Sequence, residues 1–175
     1  GSITGGLAIG TILVATFWGA ISGSGPATVA VIGVSVIPGM VAAGYDKAFA
    51  TSVVSVSSGI AIIIPPSISF LVYASITGVS IGALFAAGFI PGLIMSGCLC
   101  ISAWITSRRN GWKGEPRKGQ FWHALREAFW AIMSPVIILG GIYGGVFTPT
   151  EAAAISIFYG LFVGVFIYRT ITWKV

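Results

Sequence analysis

The chain of 175 residues is 56% hydrophobic and only 7% charged, and its formal net charge is +5. So few charged side chains cannot cover a soluble domain, which means that most of the surface must face lipid. The positive charge does not indicate nucleic-acid binding, because six of the nine Lys and Arg residues lie between positions 108 and 126, as in a cytoplasmic loop of a membrane protein.

Charged residues are absent from three stretches, 1–44, 48–107 and 128–150. Each stretch is long enough to cross a hydrocarbon core of about 30 Å. The alternation typical of outer-membrane strands is absent, and backbone groups in lipid must be satisfied internally, so we expect an all-α polytopic membrane protein. The N-terminus has no initiating Met, basic region or cleavage site, so we expect a piece of a longer protein rather than a signal peptide.

The first predicted element is a helical hairpin over residues 3–43, interrupted at Ser22-Gly23-Ser24-Gly25-Pro26. The glycines and the proline break helical hydrogen bonding, and the serines offer replacement partners. Pro26 is a favoured first residue for the second arm. Both predicted arms are short, which is typical of a re-entrant hairpin. Gly44-Tyr45-Asp46-Lys47 then predicts a polar turn at the membrane surface.

A second interruption divides the helix predicted over residues 48–77. It begins at Ser57-Ser58-Gly59 and ends at Ile64-Pro65-Pro66-Ser67. Consecutive prolines remove two amide donors and push the preceding residue out of the helical region, so the helix must break before resuming near Ser67.

Three further segments complete the predicted order. A helix over 81–107, capped by Ser80, should be interrupted or bent at Pro91-Gly92. Residues 108–130 predict a basic cytoplasmic loop followed by an amphipathic helix in the interface. Residues 131–175 predict a helical hairpin, whose second helix begins at the capping box Thr148-Pro149-Thr150-Glu151.

The two interruptions are the strongest indication of function. Irregular backbone survives in a membrane only where it is buried in protein or lines a watery cavity. Its carbonyls and hydroxyls can coordinate Na⁺, and the amides at half-helix N-termini can meet an anion. Alternatively, the Gly, Ser and Pro residues only allow kinks and close packing. Two breaks, both rich in hydroxyls, favour the binding site.

Ionisable residues of the kinds that carry protons or bind anions are missing from the middle of the predicted spans. The absence of an intramembrane carboxylate or histidine favours Na⁺ over H⁺ coupling, and the absence of Lys or Arg means that an anion would be held by amides and hydroxyls. No set of nucleophile, base and orienting group is visible, so we do not expect an enzyme. Beyond Na⁺ as coupling ion, we expect no cofactor.

Several short motifs resemble the large membrane subunit of tripartite ATP-independent periplasmic (TRAP) transporters. They are collinear across nearly the whole chain: residues 22–28, Ile37-Pro38-Gly39-Met40, Gly44-Tyr45, residues 63–67, Phe89-Ile90-Pro91-Gly92, Gly140-Gly141-Ile142 and residues 145–153. The resemblance implies an elevator-type, inverted-repeat transporter in the inner membrane of a bacterium or archaeon. It implies Na⁺-driven import of organic acid anions such as C4-dicarboxylates or sialic acid, with a small membrane subunit and a periplasmic substrate-binding protein as partners.

The resemblance also implies roles for the two interruptions. Residues 1–107 would form the first transport repeat, and residues 131–175 would lead into a second, inverted copy that this sequence lacks. The hairpin tip and the break in the following helix would form one Na⁺ site beside the substrate. The implied substrate residues are Ser22, Gly23, Ser24, Gly25, Thr28, Pro66 and Ser67, and the implied Na⁺ residues are Ser22, Ser24, Ser57, Ser58, Gly59 and Pro65.

Two other functions fit the same residues. One is a divalent-anion/Na⁺ symporter that acts without a binding protein. The other is a non-transporting membrane scaffold subunit that assembles other subunits.

Overall fold

A computed structural model describes residues 4–112 and 121–169, and these form helices joined by turns, with no β-strand in either range. The helices are α1 (Gly6–Ser22), α2 (Gly25–Ala42), α3 (Lys47–Ser58), α4 (Ile68–Thr77), α5 (Ile81–Arg109), α6 (Phe121–Tyr143) and α7 (Pro149–Phe162). One turn of 3₁₀ helix, Gly59–Ile62, follows α3, and one π-helical segment, Val163–Ile167, follows α7.

Three of these helices are long and apolar enough to cross a membrane: Gly25–Ala42, Ile81–Arg109 and Pro149–Ile167. Large apolar side chains are exposed along them, as expected where the solvent is lipid. These features agree with the predicted class of polytopic helical membrane protein. The two arms of the predicted hairpin, α1 and α2, have 17 and 18 residues.

The chain divides into two compact units, Gly1–Lys118 and Gly119–Val175. The first unit contains α1 to α5. Its core lies between α1, the end of α2, α3 and the 3₁₀ turn, where the buried residues include Ala8, Ile12, Met40, Ala50 and Ile60.

The turn between α2 and α3 is less polar than predicted. Tyr45 is only 3% exposed, and its ring lies 5.2 Å from that of Trp112, which also packs against Phe49 at 4.9 Å. Asp46 is the polar part of this turn: its carboxylate caps α3 by accepting a hydrogen bond from the Phe49 amide at 2.9 Å. The aromatic packing between the turn and the residues after α5 explains why Tyr45 is buried.

Of the interruption or bend predicted at Pro91-Gly92, the interruption is wrong, because α5 runs without a break from Ile81 to Arg109. A single proline removes one helical amide, and the surrounding turns of a long helix can retain their hydrogen bonds. Ser80 caps this helix as predicted, accepting a hydrogen bond from the Ala83 amide at 3.4 Å.

The second unit contains α6 and α7. The amphipathic helix and the membrane span predicted separately over 121–147 form one continuous helix, α6, with Pro135 inside it. Most of the predicted basic loop lies outside the described residues. The predicted capping box is confirmed: the Glu151 carboxylate accepts from the Thr148 amide at 2.8 Å, and the Thr148 hydroxyl accepts from the Glu151 amide at 3.3 Å.

Thr148→Ala is expected to destabilise the start of α7 by about 1 kcal/mol, since it removes the side-chain acceptor of the N-cap. Thermal denaturation of the purified protein in detergent measures this as a lower melting temperature. Thr150→Ala, at an exposed position in the same turn, is the control. Equal melting temperatures for the two variants would contradict the prediction.

Candidate ion and substrate site

The tip of the first hairpin is a short irregular segment between α1 and α2. The Gly23 amide closes α1 by donating to the Gly19 carbonyl at 2.8 Å, and Gly23 itself has a φ of +61°. This left-handed conformation favours glycine. Ser24 is extended, and α2 begins at Gly25 with Pro26 in its first turn. The interruption predicted at residues 22–26 is therefore present, with α1 ending at Ser22 and α2 beginning at Gly25.

Hydroxyl groups hold the tip together. The Thr28 hydroxyl is buried and donates to the Ser24 carbonyl at 2.8 Å. The Ser22 hydroxyl lies 3.2 Å from the Thr28 hydroxyl. The Ser24 amide donates to the Ser22 hydroxyl at 3.3 Å. The Ser24 hydroxyl makes no cap hydrogen bond to α2. Ser22 and Thr28 thus shape the tip, and the Ser24 side chain remains available to a ligand.

The second break runs from the end of α3 to the start of α4. After the 3₁₀ turn the backbone is irregular through Pro65 and Pro66, which are joined by a cis peptide bond. The prolines lack the amides that would bond the carbonyls four residues earlier. The Ser67 hydroxyl donates to one of these carbonyls, that of Ile62, and accepts from the Phe70 amide at 3.4 Å. Ser67 is thus both a partner for the break and the N-cap of α4.

The two breaks are in direct contact. The Ile68 amide donates to the Gly23 carbonyl at 3.3 Å. A Cβ atom on Gly23 would lie 2.7 Å from the Pro66 carbonyl oxygen, and one on Gly25 would lie 3.4 Å from that of Ser58. The glycines of the tip therefore allow the backbone oxygens of the break to approach it, and the two interruptions pack against each other.

A third glycine brings α1 against the 3₁₀ turn. A Cβ atom on Gly19 would lie 2.6 Å from the Cα atom of Ala61. Gly19 and the Ile68 amide are not among the site groups predicted from the sequence. The position of Gly19, one turn before the tip, could have indicated a close helix contact there. That Gly19 contacts Ala61, and that the Ile68 amide binds the Gly23 carbonyl, is visible only in the folded chain.

Two further predicted residues lie at the end of α3. Ser57 is fully buried, and its hydroxyl donates to the Val53 carbonyl at 2.6 Å; the Ser58 hydroxyl donates to that of Ser55 at 2.7 Å. A hydroxyl that has given its hydrogen to a carbonyl keeps lone pairs that can face a cation. Gly59 begins the 3₁₀ turn, and Pro65 is buried within the break.

Helix dipoles give this neutral site its electrostatic character. The contact between Gly23 and Ile68 joins the C-terminal end of α1 to the first turn of α4, and α2 begins two residues after Gly23. Each helix N-terminus carries a partial positive charge of about half a unit. The C-terminus of α1 and the carbonyls of Ser58 and Pro66 face the same region with partial negative charge. Backbone oxygens can hold a hard cation here, and backbone amides can hold an anionic group.

Apolar helices of membrane-spanning length, together with two interrupted helices in contact, place the protein in the class of multi-pass helical membrane proteins. Within that class the chain belongs to the DctM component family of tripartite ATP-independent periplasmic transporters, whose sequence profile matches residues 1–175. Membership confirms the resemblance found in the sequence.

Individual relatives agree with this assignment. The chain is 49% identical to the isethionate TRAP transporter permease protein DctMQ of Oleidesulfovibrio alaskensis, over 98% of this chain and 28% of the relative. It is 46% identical to the C4-dicarboxylate large permease protein DctM of Vibrio cholerae, over 97% of this chain and 38% of the relative. It is also 39% identical to the sialic acid TRAP transporter large permease protein SiaM of Vibrio cholerae, over 98% of this chain and 41% of the relative. The chain thus spans well under half the length of these relatives.

Proposed function

We propose that the chain is part of the permease subunit of a Na⁺-coupled secondary transporter, which imports organic acid anions delivered by a periplasmic binding protein. The observation that carries the proposal is the contact between the hairpin tip and the second break, through Gly23 and Ile68. It brings two helix N-termini and several backbone oxygens together in a segment without charged side chains.

The names of the relatives support an anionic group on the substrate. Isethionate, C4-dicarboxylates and sialic acid all carry a sulfonate or carboxylate. Two further relatives, at 44% and 43% identity, are ectoine permeases, and ectoine is a zwitterion with a carboxylate. We therefore propose that the anionic group binds at the first turn of α2, which has no side-chain cap, with support from the dipole of α4, whatever the net charge of the molecule.

The oxygen groups of the tip and break support Na⁺ as the coupling ion. Na⁺ is a hard cation, and the Ser58 and Pro66 carbonyls lie against the glycines of the tip. Ser57 and Ser24, which adjoin these contacting residues in the sequence, add two hydroxyls. Proton relays through membranes use carboxylates or histidines, and none lies within 1–44 or 48–107. The proposed partners are the small membrane subunit and the binding protein, in a bacterial inner membrane, and the proposed mechanism is of the elevator type.

Uptake by the full-length permease, reconstituted in liposomes with its small subunit and substrate-loaded binding protein, tests the proposal. Accumulation of a labelled C4-dicarboxylate, sialic acid or isethionate should require an inward Na⁺ gradient and the binding protein. Accumulation that is unaffected by removing the Na⁺ gradient would overturn the coupling.

The same preparation separates the two alternatives. Na⁺-driven uptake without the binding protein would favour the divalent-anion/Na⁺ symporter. If neither Na⁺ nor any of these anions raises the melting temperature of the complete complex, the non-transporting scaffold is favoured, because a ligand that binds the native state stabilises it.

A further inference from the structure

One face of α5 is buried, and the first half of this face lies against the second break. The buried residues of this helix recur three, four or seven positions apart and are Phe85, Gly88, Gly92, Ser96, Ala103 and Ser107. Gly88 and Gly92 are one turn apart, so they lie on the same side of the helix. Small residues in this spacing let helices in a membrane approach closely. Here the approaching groups are the Ile63 carbonyl and the side chains of Ile64 and Phe70.

The contacts at the two glycines leave no room for a side chain. A Cβ atom on Gly88 would lie 2.5 Å from the carbonyl oxygen of Ile63 and would also enter the ring of Phe70. A Cβ atom on Gly92 would overlap Cγ1 of Ile64. Ile63 and Ile64 connect the 3₁₀ turn to Pro65, so α5 touches the break directly before the proline pair.

Helix α1 holds the break from another side. Gly19 contacts Ala61 of the 3₁₀ turn, two residues before Ile63. The hydroxyls of Thr16 and Ser96 lie 2.9 Å apart and join α1 to α5. The break is thus clamped between two helices that are hydrogen-bonded to each other, and its position depends on the absence of side chains at these glycines.

We propose that Gly88 and Gly92 are positioning residues of the ion site, which they would control through Ile63 and Ile64 without touching the ion. This inference rests on the proposed function, since it assigns a role toward the Na⁺ ligands. Ligands of a bound ion must be held to about half an ångström. Pro65, one of the proposed ligands in the break, lies beyond the last backbone hydrogen bonds of the 3₁₀ turn, which run from the Ile63 and Ile64 amides to the Ile60 carbonyl at 2.9 Å. Its geometry must therefore come from its neighbours. A methyl group at position 92 would displace Ile64, and Pro65 follows it directly.

The test compares four variants of the full-length transporter: Gly92→Ala, Ile64→Ala, the double variant, and Gly97→Ala. Gly97 is the matched control, because it lies on the same helix and no atom would come within 4 Å of its Cβ. The readouts are the Na⁺ concentration for half-maximal uptake and the rise in melting temperature that Na⁺ produces in detergent. Gly92→Ala should raise the half-maximal Na⁺ concentration about tenfold or more, since small displacements of positioned groups have effects of this size.

The double variant should recover much of this loss, because shortening Ile64 removes the atom that the new methyl group would overlap. Gly97→Ala should behave as wild type. A role in folding alone would lower the melting temperature without Na⁺ and leave the half-maximal Na⁺ concentration unchanged. That result, or a double variant no better than Gly92→Ala, would overturn the inference while Na⁺ coupling stands. Wild-type uptake without any Na⁺ dependence would instead overturn the proposed function.

Discussion

Gly23→Ala is expected to reduce uptake about 100-fold, because a small displacement at a positioned site has effects of this order. Two effects act together. The φ of +61° at this residue is strained for any residue with a side chain. The added methyl group would also lie 2.7 Å from the Pro66 carbonyl oxygen, which belongs to backbone and cannot rotate away. The tip must separate from the break, and the hydrogen bond between Gly23 and Ile68 is lost with it.

Membrane insertion should survive this substitution, because α1 and α2 keep their apolar faces. The measurements are uptake in liposomes and the amount of folded protein recovered from the membrane. Gly39→Ala is the control in the same hairpin, since Gly39 lies inside α2 and no atom would come within 4 Å of its Cβ. Wild-type uptake by Gly23→Ala would show that the contact between tip and break is not needed for transport.

Local sequence signals predicted the ends of most elements. The Ser22 to Pro26 segment, the Pro65-Pro66 pair and the Thr148 capping box each act on their own hydrogen bonds, and each ends or begins a helix in the structure. Pro91 carries a similar signal but produces no break, because a single missing amide can be tolerated inside a 29-residue helix. A proline followed by a single glycine is therefore not enough to predict an interruption within a long helix.

Non-local contacts could not be predicted from the sequence in the same way. Nothing near Gly23 indicates that its carbonyl will accept from Ile68, 45 positions away. Gly88 and Gly97 look alike in the sequence, yet one has Ile63 against it and the other has open space. The burial of Tyr45 likewise depends on Trp112, which lies beyond α5. These contacts arise when helices pack, and only the folded chain shows them.

Substitutions at Ser24 in the tip and at Ser67 in the second break distinguish a binding role from a folding role. Ser24→Ala is expected to leave the melting temperature of the ion-free protein unchanged, because the Ser24 hydroxyl does not cap α2. It should nevertheless raise the half-maximal concentration of Na⁺ or of the substrate about tenfold, since a bound ligand would lose a partner worth roughly 1 to 2 kcal/mol. Ser67→Ala should instead lower the stability of the ion-free protein. It removes the N-cap of α4 and the partner of the Ile62 carbonyl, so the free energy of unfolding should fall by about 1 to 2 kcal/mol.

Ser35→Ala is the matched control for Ser24→Ala, because Ser35 is also in the hairpin and its hydroxyl makes only a 3.4 Å hydrogen bond to its own helix. Melting temperatures with and without Na⁺, and uptake over a range of Na⁺ and substrate concentrations, distinguish the three serines. If Ser24→Ala matches Ser35→Ala in every measurement, the tip hydroxyl is a packing group. The anion and the ion would then be held by backbone amides and carbonyls alone, and the glycines that expose them would carry the specificity of the site.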